Sequence, residues 1–209
     1  MAIINIKSKE RKPAALLFFM FFSIVSATIT GASVRDAVFL TQFDKSYLPL
    51  MFIAIAVVMA GVIALYKKLT SGQDQVFVIS ISGALFSVSL FLLQSNLSGL
   101  FIPVLYIWME VVTVLSIFQF WILAGEIFNA RQAKRIFTLL GAGGSFAGMG
   151  AGYGIKPFVS TFGSENLLFL TIFFIGLSVV MAQMLRPFRM PHKPKKVNSK
   201  PVPKSKTEF

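Results

Sequence analysis

The basic residues of this 209-residue chain lie on alternate connections between long apolar stretches, and this pattern constrains the fold more than any other feature. Each stretch holds about 18 to 24 residues, which at about 1.5 Å per helical residue spans a hydrocarbon core of about 30 Å. We therefore expect six transmembrane helices, at Pro13–Ala32, Tyr47–Tyr66, Val76–Leu93, Leu100–Leu123, Ile136–Ile155 and Leu167–Leu185.

The same basic residues predict the orientation. Four of them precede the first stretch, two lie in the second connection, three in the fourth, and eight follow the last stretch. The remaining three of the 20 are Arg35, Lys45 and Lys156, on the other set of connections. Because basic loops stay on the cytoplasmic side of a membrane, we predict a multi-pass protein with both termini in the cytoplasm.

The composition excludes several classes of protein. A hydrophobic share of 56% is too high for a soluble domain of this length, and the loop pattern accounts for the net charge of +12 without a nucleic-acid partner. The chain has no cysteine, so disulfides and thiolate chemistry are absent, and its single histidine, His192, has no partner for a metal site. With no nucleophile–base pair and no cofactor loop, we expect neither an enzyme nor a bound cofactor.

Three segments follow from these patterns: a basic cytoplasmic segment at 1–12, a transmembrane domain at 13–185 and a tail at 186–209. The tail has five prolines, eight basic residues and little to bury, so we expect it to be disordered. It could adhere to anionic lipid headgroups, or it could be only a solvated flank of the last helix. The short connections predict that consecutive helices pack as antiparallel neighbours in a compact bundle.

Glu110 is the most unusual residue, because it lies near the middle of the fourth apolar stretch. A carboxylate at that depth must be neutral, paired or in contact with water. At 100° per residue, Glu110 shares a helix face with Thr113 and Trp121, and we expect this face to point into the bundle. An ion-coupling or substrate site would explain the residue, and so would a protonated glutamate bonded to a neighbouring helix.

Arg35 and Asp36 follow the first apolar stretch, in the predicted connection Ser33–Ser46. A guanidinium there could hold an anionic small-molecule substrate through two parallel hydrogen bonds. It could equally pair with Asp36 or Asp44 and only anchor the helix. Position alone does not decide between these interpretations.

The fifth stretch is rich in glycine, and Gly144, Gly148 and Gly152 recur every four residues. Such a row of small residues lets a neighbouring helix approach closely, so we predict helix packing along it. A mobile seam that permits rocking between two states is the alternative.

The predicted cytoplasmic connection Gly125–Arg135 brings together charges of both signs, namely Glu126, Arg131, Lys134 and Arg135. Glu126 could pair with Arg131 or Arg135. Such a cluster could act as a cytoplasmic gate of a transporter, or it could only obey the orientation rule.

This connection and its flanks resemble a known family. The motifs are FWxxAxExF at 120–128, RQAKRxF at 131–137 and LGAGG at 140–144, together with RDAV at 35–38. They are similar to segments of the nucleotide-transporter family, which contains the ATP/ADP translocases of plastids and intracellular bacteria and related bacterial proteins. The resemblance covers nearly all of residues 13–185, and it departs from the family pattern at Gly125, where asparagine is expected, and at Arg35, where lysine is typical.

The resemblance implies one six-helix half of a major-facilitator-type transporter in a bacterial cytoplasmic membrane, working by alternating access between two halves. It also implies a nucleotide or another anionic solute as substrate. Arg35 and Glu110 would then take the substrate and coupling roles, and Lys134 and Arg135 would form the gate. The second half is absent from the chain, so it would pair with itself or with another six-helix chain.

Three hypotheses of function remain at this point. The first is the half-sized transporter, the second is a non-transporting membrane anchor or subunit that holds a partner protein, and the third is a truncated product without activity. A lone six-helix unit would expose the Glu110 face to lipid, which favours a partner chain.

Overall fold

The computed structural model describes residues 8–95 and 97–189, without the side chains of residues 8, 9, 130, 131 and 133–135. Six α-helices make up most of this part of the chain: α1 (Ser8–Gln42), α2 (Leu48–Thr70), α3 (Gln75–Gln94), α4 (Phe101–Ile127), α5 (Ala130–Phe162) and α6 (Leu167–Leu185). Short 3₁₀ turns precede α2 and follow α6, at Lys45–Tyr47 and Arg186–Phe188. No strand occurs in 8–95 or 97–189, which confirms the predicted all-α fold.

Five helices (α1, α2, α3, α4 and α6) are long and apolar enough to cross a membrane. In the described part of the chain α5 is not among them, because its glycines and polar first turn lower its hydropathy. The chain therefore has five to six long apolar helices, consistent with a multi-pass membrane bundle. The orientation of the termini stays a prediction.

The first predicted connection, Ser33–Ser46, is wrong because α1 continues through most of it, to Gln42. Residues 33–42 contain neither glycine nor proline, so no residue interrupts the helix. Phe39 in this extension is buried, and its ring lies 4.8 Å from that of Tyr106 on α4. Packing against α4 thus extends α1 beyond its apolar stretch and places Arg35 inside a helix.

The connections on both sides of α5 are also shorter than predicted. Asn129 and Gln132 form a capping box, so α5 begins at Ala130 and leaves only two residues between α4 and α5. At its other end α5 continues through Pro157, whose missing N–H a membrane helix tolerates, and stops before Gly163, which has a φ of +85°.

The tail is ordered further than expected. The turn Arg186–Phe188 follows α6 directly, and Arg189 makes ion pairs described below. Residues 190–209, on which the prediction of disorder mainly rests, lie outside the described residues, as do residues 1–7.

α1 is the central helix, and it packs against α4, α5 and α6. The other close pairs are α3 with α4, α3 with α6, and α2 with α4. Of the consecutive pairs only α3 and α4 are among them, so the prediction that chain neighbours are packing neighbours is wrong for the rest. A short connection fixes only two helix ends, whereas contact along the helices needs small residues, such as Gly31 against Met109 and Gly83 against Val179.

The close pairs have an internal symmetry. If α1 is exchanged with α4, α2 with α5 and α3 with α6, every close pair becomes another close pair or itself. α1 and α4 run antiparallel, because Arg35 contacts Glu110 whereas Phe21, earlier on α1, packs on Phe120, later on α4. This set of close pairs is the one that two inverted three-helix repeats, α1–α3 and α4–α6, would produce, although the contacts of α1 with α5 and α6 are more extensive than those of α4 with α2 and α3.

Candidate functional site: two charged clusters

The first charged cluster joins α1 to α4 and is centred on Arg35. Its Nη1 donates to Glu110 Oε2 at 2.7 Å, and its Nε donates to Asp36 Oδ1 at 2.9 Å. The guanidinium carbon also lies 4.5 Å from the centre of the Tyr106 ring, a cation–π distance. We call Arg35, Asp36, Glu110 and Tyr106 the Arg35 cluster.

Helical spacing on both helices positions this cluster. Tyr106 and Glu110 are four residues apart on α4, and Arg35 and Phe39 have the same separation on α1, so each pair shares a face. Phe39 packs on Tyr106 while Arg35 reaches Glu110, so an aromatic contact and an ion pair fix the same stretch of the helix–helix interface.

The carboxylates of the cluster are more exposed than its guanidinium. The side chain of Arg35 is 15% exposed, that of Glu110 is 33% exposed and that of Asp36 is 51% exposed. Two carboxylates share one cation through its Nε and Nη1, so an anion that takes either of these bonded hydrogens must displace a carboxylate. The arrangement can exchange partners, because Arg35 keeps one carboxylate when it releases the other.

The prediction that the Glu110 face points into the bundle holds for part of that face: Glu110 is paired with Arg35 on α1, and Thr113 borders a cavity between α1, α4 and α6. Glu110 and Thr113 are half-buried, and Trp121 is exposed, although its ring contacts Phe21 and Phe137. The face of α4 that packs into the core instead carries apolar residues, of which Met109 is almost fully buried. The charged face therefore lies at the margin of this six-helix unit.

The second charged cluster joins three chain segments through Arg189. Its Nε donates to Glu126 Oε2 at 2.7 Å, and its Nη1 donates to Asp74 Oδ2. Asp74 also caps α3 by accepting from the backbone N–H of Phe77 at 3.1 Å. The connection before α3, the end of α4 and the segment after α6 are thereby held together, and we call these three ionised residues the Arg189 cluster.

The ion pairs perturb the titration of this second cluster. Partial burial by itself raises the pKa of Asp74, but the hydrogen bonds from Arg189 and Phe77 outweigh it, and the pKa lies below its ordinary value. Partial burial likewise opposes ionisation of Arg189, but Asp74 and Glu126 together raise the pKa of Arg189 above its ordinary value. Both groups are therefore held in their charged forms.

The predicted gate is only partly described. Among the described side chains, Glu126 is paired with Arg189, a partner that the sequence did not indicate. The side chains of Arg131, Lys134 and Arg135 lie outside the described residues, so their role as a gate stays a prediction.

The glycine row on α5 packs at one end only. A Cβ on Gly144 would lie 3.1 Å from the ring of Phe21 on α1, a close helix–helix contact. Beside Gly148 and Gly152, by contrast, the described part of the chain leaves open space within 4 Å, so the predicted packing is wrong there. At Gly148 and Gly152, α5 is separated from α1 by a groove of about 660 Å³, which Ile29 and Lys156 also border.

Sequence reasoning missed Tyr106 and Arg189. The position of Tyr106 four residues before Glu110 is a signal that could have indicated its role, since residues at that spacing share a face. Arg189 was counted among the charges of a solvated tail, and nothing local indicates its partners. Among residues 8–95 and 97–189, no group of three or more acidic or histidine side chains could hold a metal ion.

Comparison of the chain with protein-family models, with curated proteins and with solved structures finds no match. The fold and the two clusters therefore define only a class, an all-helical membrane bundle with ion pairs between its helices. The resemblance to the nucleotide-transporter family stays a prediction.

Proposed function

We propose that this chain is one half of a membrane transporter, completed by a second copy of itself or by another six-helix chain. The observation that carries the proposal is the position of the Arg35 cluster between α1 and α4, the helices that the internal symmetry exchanges. In transporters built from inverted repeats, substrate and coupling ions bind where the repeats meet.

The exposure of the cluster supports a partner chain. Glu110 and Asp36 reach the surface of the six-helix unit, and ionised carboxylates are costly against lipid. A second six-helix unit that covers this face would replace lipid with a polar or water-filled boundary. The site would then lie between two units, as alternating access requires.

The expected nucleotide or other anionic solute would compete with the carboxylates at this site. A phosphate or carboxylate that takes the Nε and Nη1 hydrogens now bonded to Asp36 and Glu110 must displace both carboxylates from them. Release of Glu110 removes the ion pair between α1 and α4, so solute binding would be linked to the contact between the repeats. This linkage is the mechanism that we propose.

The pairing is tested by the native mass of the particle extracted gently from its own membranes. We expect a dimer or a complex with another helical membrane chain, and a lone 23.0 kDa chain would contradict the proposal. A complex with an unrelated protein would instead favour the membrane-anchor hypothesis.

The role of the cluster is tested by uptake of labelled adenine nucleotides into vesicles containing the particle so isolated. Glu110→Gln should abolish uptake while expression and native mass stay unchanged, because the amide no longer exchanges an ion pair with Arg35. Glu165→Gln, a matched change at an exposed position between α5 and α6, should transport normally. Normal uptake by Glu110→Gln would remove Glu110 from the mechanism.

A further inference from the structure

Gln119 is a buried polar residue on α4 with an incomplete set of hydrogen bonds. Gln119 is only 3% exposed, and its Oε1 accepts a hydrogen bond from Ser82 Oγ on α3 at 2.9 Å. Its Nε2 has no hydrogen-bond partner in the part of the chain that the structure describes. A buried donor without a partner loses the hydrogen bond that it makes to water in the unfolded chain, so a partner that supplies an acceptor is expected here.

One small cavity borders Gln119, a second lies next to it, and hydroxyl-bearing residues line both. The first is bordered by Gln119, Ser82, Ser116 and Ser178, and the second by Thr28, Thr113, Ser116 and Ser178. Each has about 10 Å³ of room, close to what a single water needs. Ser116 and Ser178 border both cavities, so their occupants would be neighbours.

We propose that each cavity binds one water molecule and that the water beside Gln119 accepts the unpaired hydrogen of its Nε2. Ser178 Oγ donates to its own helix, to Ile175 O at 2.7 Å, and so presents lone pairs to the cavity. The water would donate to such hydroxyl oxygens while it accepts from Gln119. Two to four polar partners are typical of a buried water, and each cavity offers four.

Water fits the site better than a metal cation does. No aspartate or glutamate lines either cavity, so nothing there would neutralise a cation at this depth. The Nε2 group is a donor and repels a cation. If the amide is turned by 180°, Nε2 donates to Ser82 and Oε1 becomes the group without a partner, and water satisfies that atom equally well by donating.

The position of the two waters gives them a role beyond filling space. The cavity walls come from α1, α3, α4 and α6, whose contacts α1–α4 and α3–α6 are the ones that the internal symmetry maps onto themselves. The waters thus lie where helices of the two repeats meet. Thr113 is one helical turn from Glu110 along α4 and borders one of the cavities, so this cavity lies one turn beyond the Arg35 cluster.

Two methionines report on the cavities in the full-length protein. Met109 borders the cavity of Thr113 and Met20 borders that of Gln119, and each is only 1% exposed. Met51 and Met59 on α2 are slightly more exposed, at 7% and 9%, and line neither cavity. Radiolytic hydroxyl radicals form from water itself, so a bound water oxidises a methionine beside it even when bulk solvent cannot reach that residue.

The experiment is radiolytic footprinting of the protein in lipid nanodiscs, read by mass spectrometry. We expect Met20 and Met109 to be oxidised faster than Met51 and Met59, the reverse of the order that their exposure gives. Slower oxidation of both cavity methionines would show that the cavities are dry and would overturn the proposal.

Variants separate bound water from a general leak of solvent. Gln119→Leu should abolish the oxidation of Met20, and Ser116→Ala, a smaller change, should reduce oxidation of both cavity methionines. Ser89→Ala is the matched control, because Ser89 bonds Trp108 on the same pair of helices and borders neither cavity. Unchanged oxidation in folded Ser116→Ala protein would overturn the assignment of the waters to these groups.

Discussion

Thr30 on α1 and Thr171 on α6 share a hydrogen bond of 2.9 Å between their hydroxyl groups, and both residues are fully enclosed by the bundle. Each hydroxyl also lies within hydrogen-bond distance of a carbonyl of its own helix, Ser26 O and Leu167 O respectively. Gly31, beside Thr30, lets the side chains of Met109 and Thr171 approach the backbone of α1. A small residue and a polar pair thus fix the central helix against its principal neighbours.

Thr171→Val should test the energy of this pair, because valine keeps the shape of threonine and removes the hydroxyl. We expect the free energy of unfolding to fall by about 1 kcal/mol, the scale of a hydrogen bond between membrane helices. Unfolding in mixed detergent micelles measures it. Thr161→Val, at an exposed position on α5, is the control, and an equal loss in both variants would contradict the prediction.

Gly83→Ala should destabilise the contact between α3 and α6. A Cβ at this position would collide with the side chain of Val179, and overpacking of this kind costs about 1 to 3 kcal/mol. Gly148→Ala, where a Cβ meets open space, should not lower the unfolding free energy, because alanine favours the helix over glycine. Val179→Ala should restore stability to Gly83→Ala, and a failure of this rescue would show that the collision is not the cause.

Removal of Arg35 and removal of Glu110 should destabilise the protein to different extents. Glu110→Gln leaves Arg35 bonded to Asp36, whereas Arg35→Gln leaves two carboxylates side by side without a cation. We therefore expect Arg35→Gln to lower the melting temperature more than Glu110→Gln does. The expected difference in unfolding free energy is about 1 to 3 kcal/mol. Thermal unfolding in detergent gives the order, and the reverse order would show that the contact with Asp36 does not stabilise Arg35.

Acid should weaken the Arg189 cluster. Because the pKa of Asp74 is lower in the folded protein than in the unfolded chain, its contribution is complete above the ordinary carboxyl pKa. That contribution is lost as the pH falls through the lowered pKa, where the unfolded chain already holds the proton. The melting temperature should thus fall on acidification below the ordinary carboxyl range.

Asp74→Asn and Arg189→Gln should both flatten this part of the pH profile, since each removes the same ion pair. A residual slope is expected from Asp44, whose pKa is lowered by its hydrogen bonds to the backbone and side chain of Ser46. If the profile keeps its full slope in both variants, the acid dependence comes from another group.

The sequence predicts those helices best whose ends coincide with a change in hydropathy. The expected bounds of the sixth helix, Leu167–Leu185, are those observed, because polar residues flank an unbroken apolar run. α1 was predicted too short, since Arg35, whose charge indicated the end of the helix, is paired with Glu110 on another helix. Local polarity indicates a loop only where the polar groups lack a partner elsewhere in the fold.

The candidate site could be predicted only in its parts. Arg35 and Glu110 stand out individually, but they are 75 residues apart, and their contact depends on how α1 and α4 rotate against each other. Hydropathy does not encode that rotation, and for this reason Glu110 and Trp121 are more exposed than expected. Arg189 belongs to the same category, because its partners come from two distant segments.

The central position of α1 sets an order of events during synthesis. α1 is made before α4, α5 and α6, the helices that it packs against, and Thr30 and Thr171 are separated by 141 residues. Until those helices follow, Ser23, Ser26 and Thr30, all buried in the finished bundle, must remain in the bilayer or in the insertion machinery without their later neighbours. A ribosome that stalls before α6 therefore leaves the hydroxyl-bearing face of α1 open to lipid.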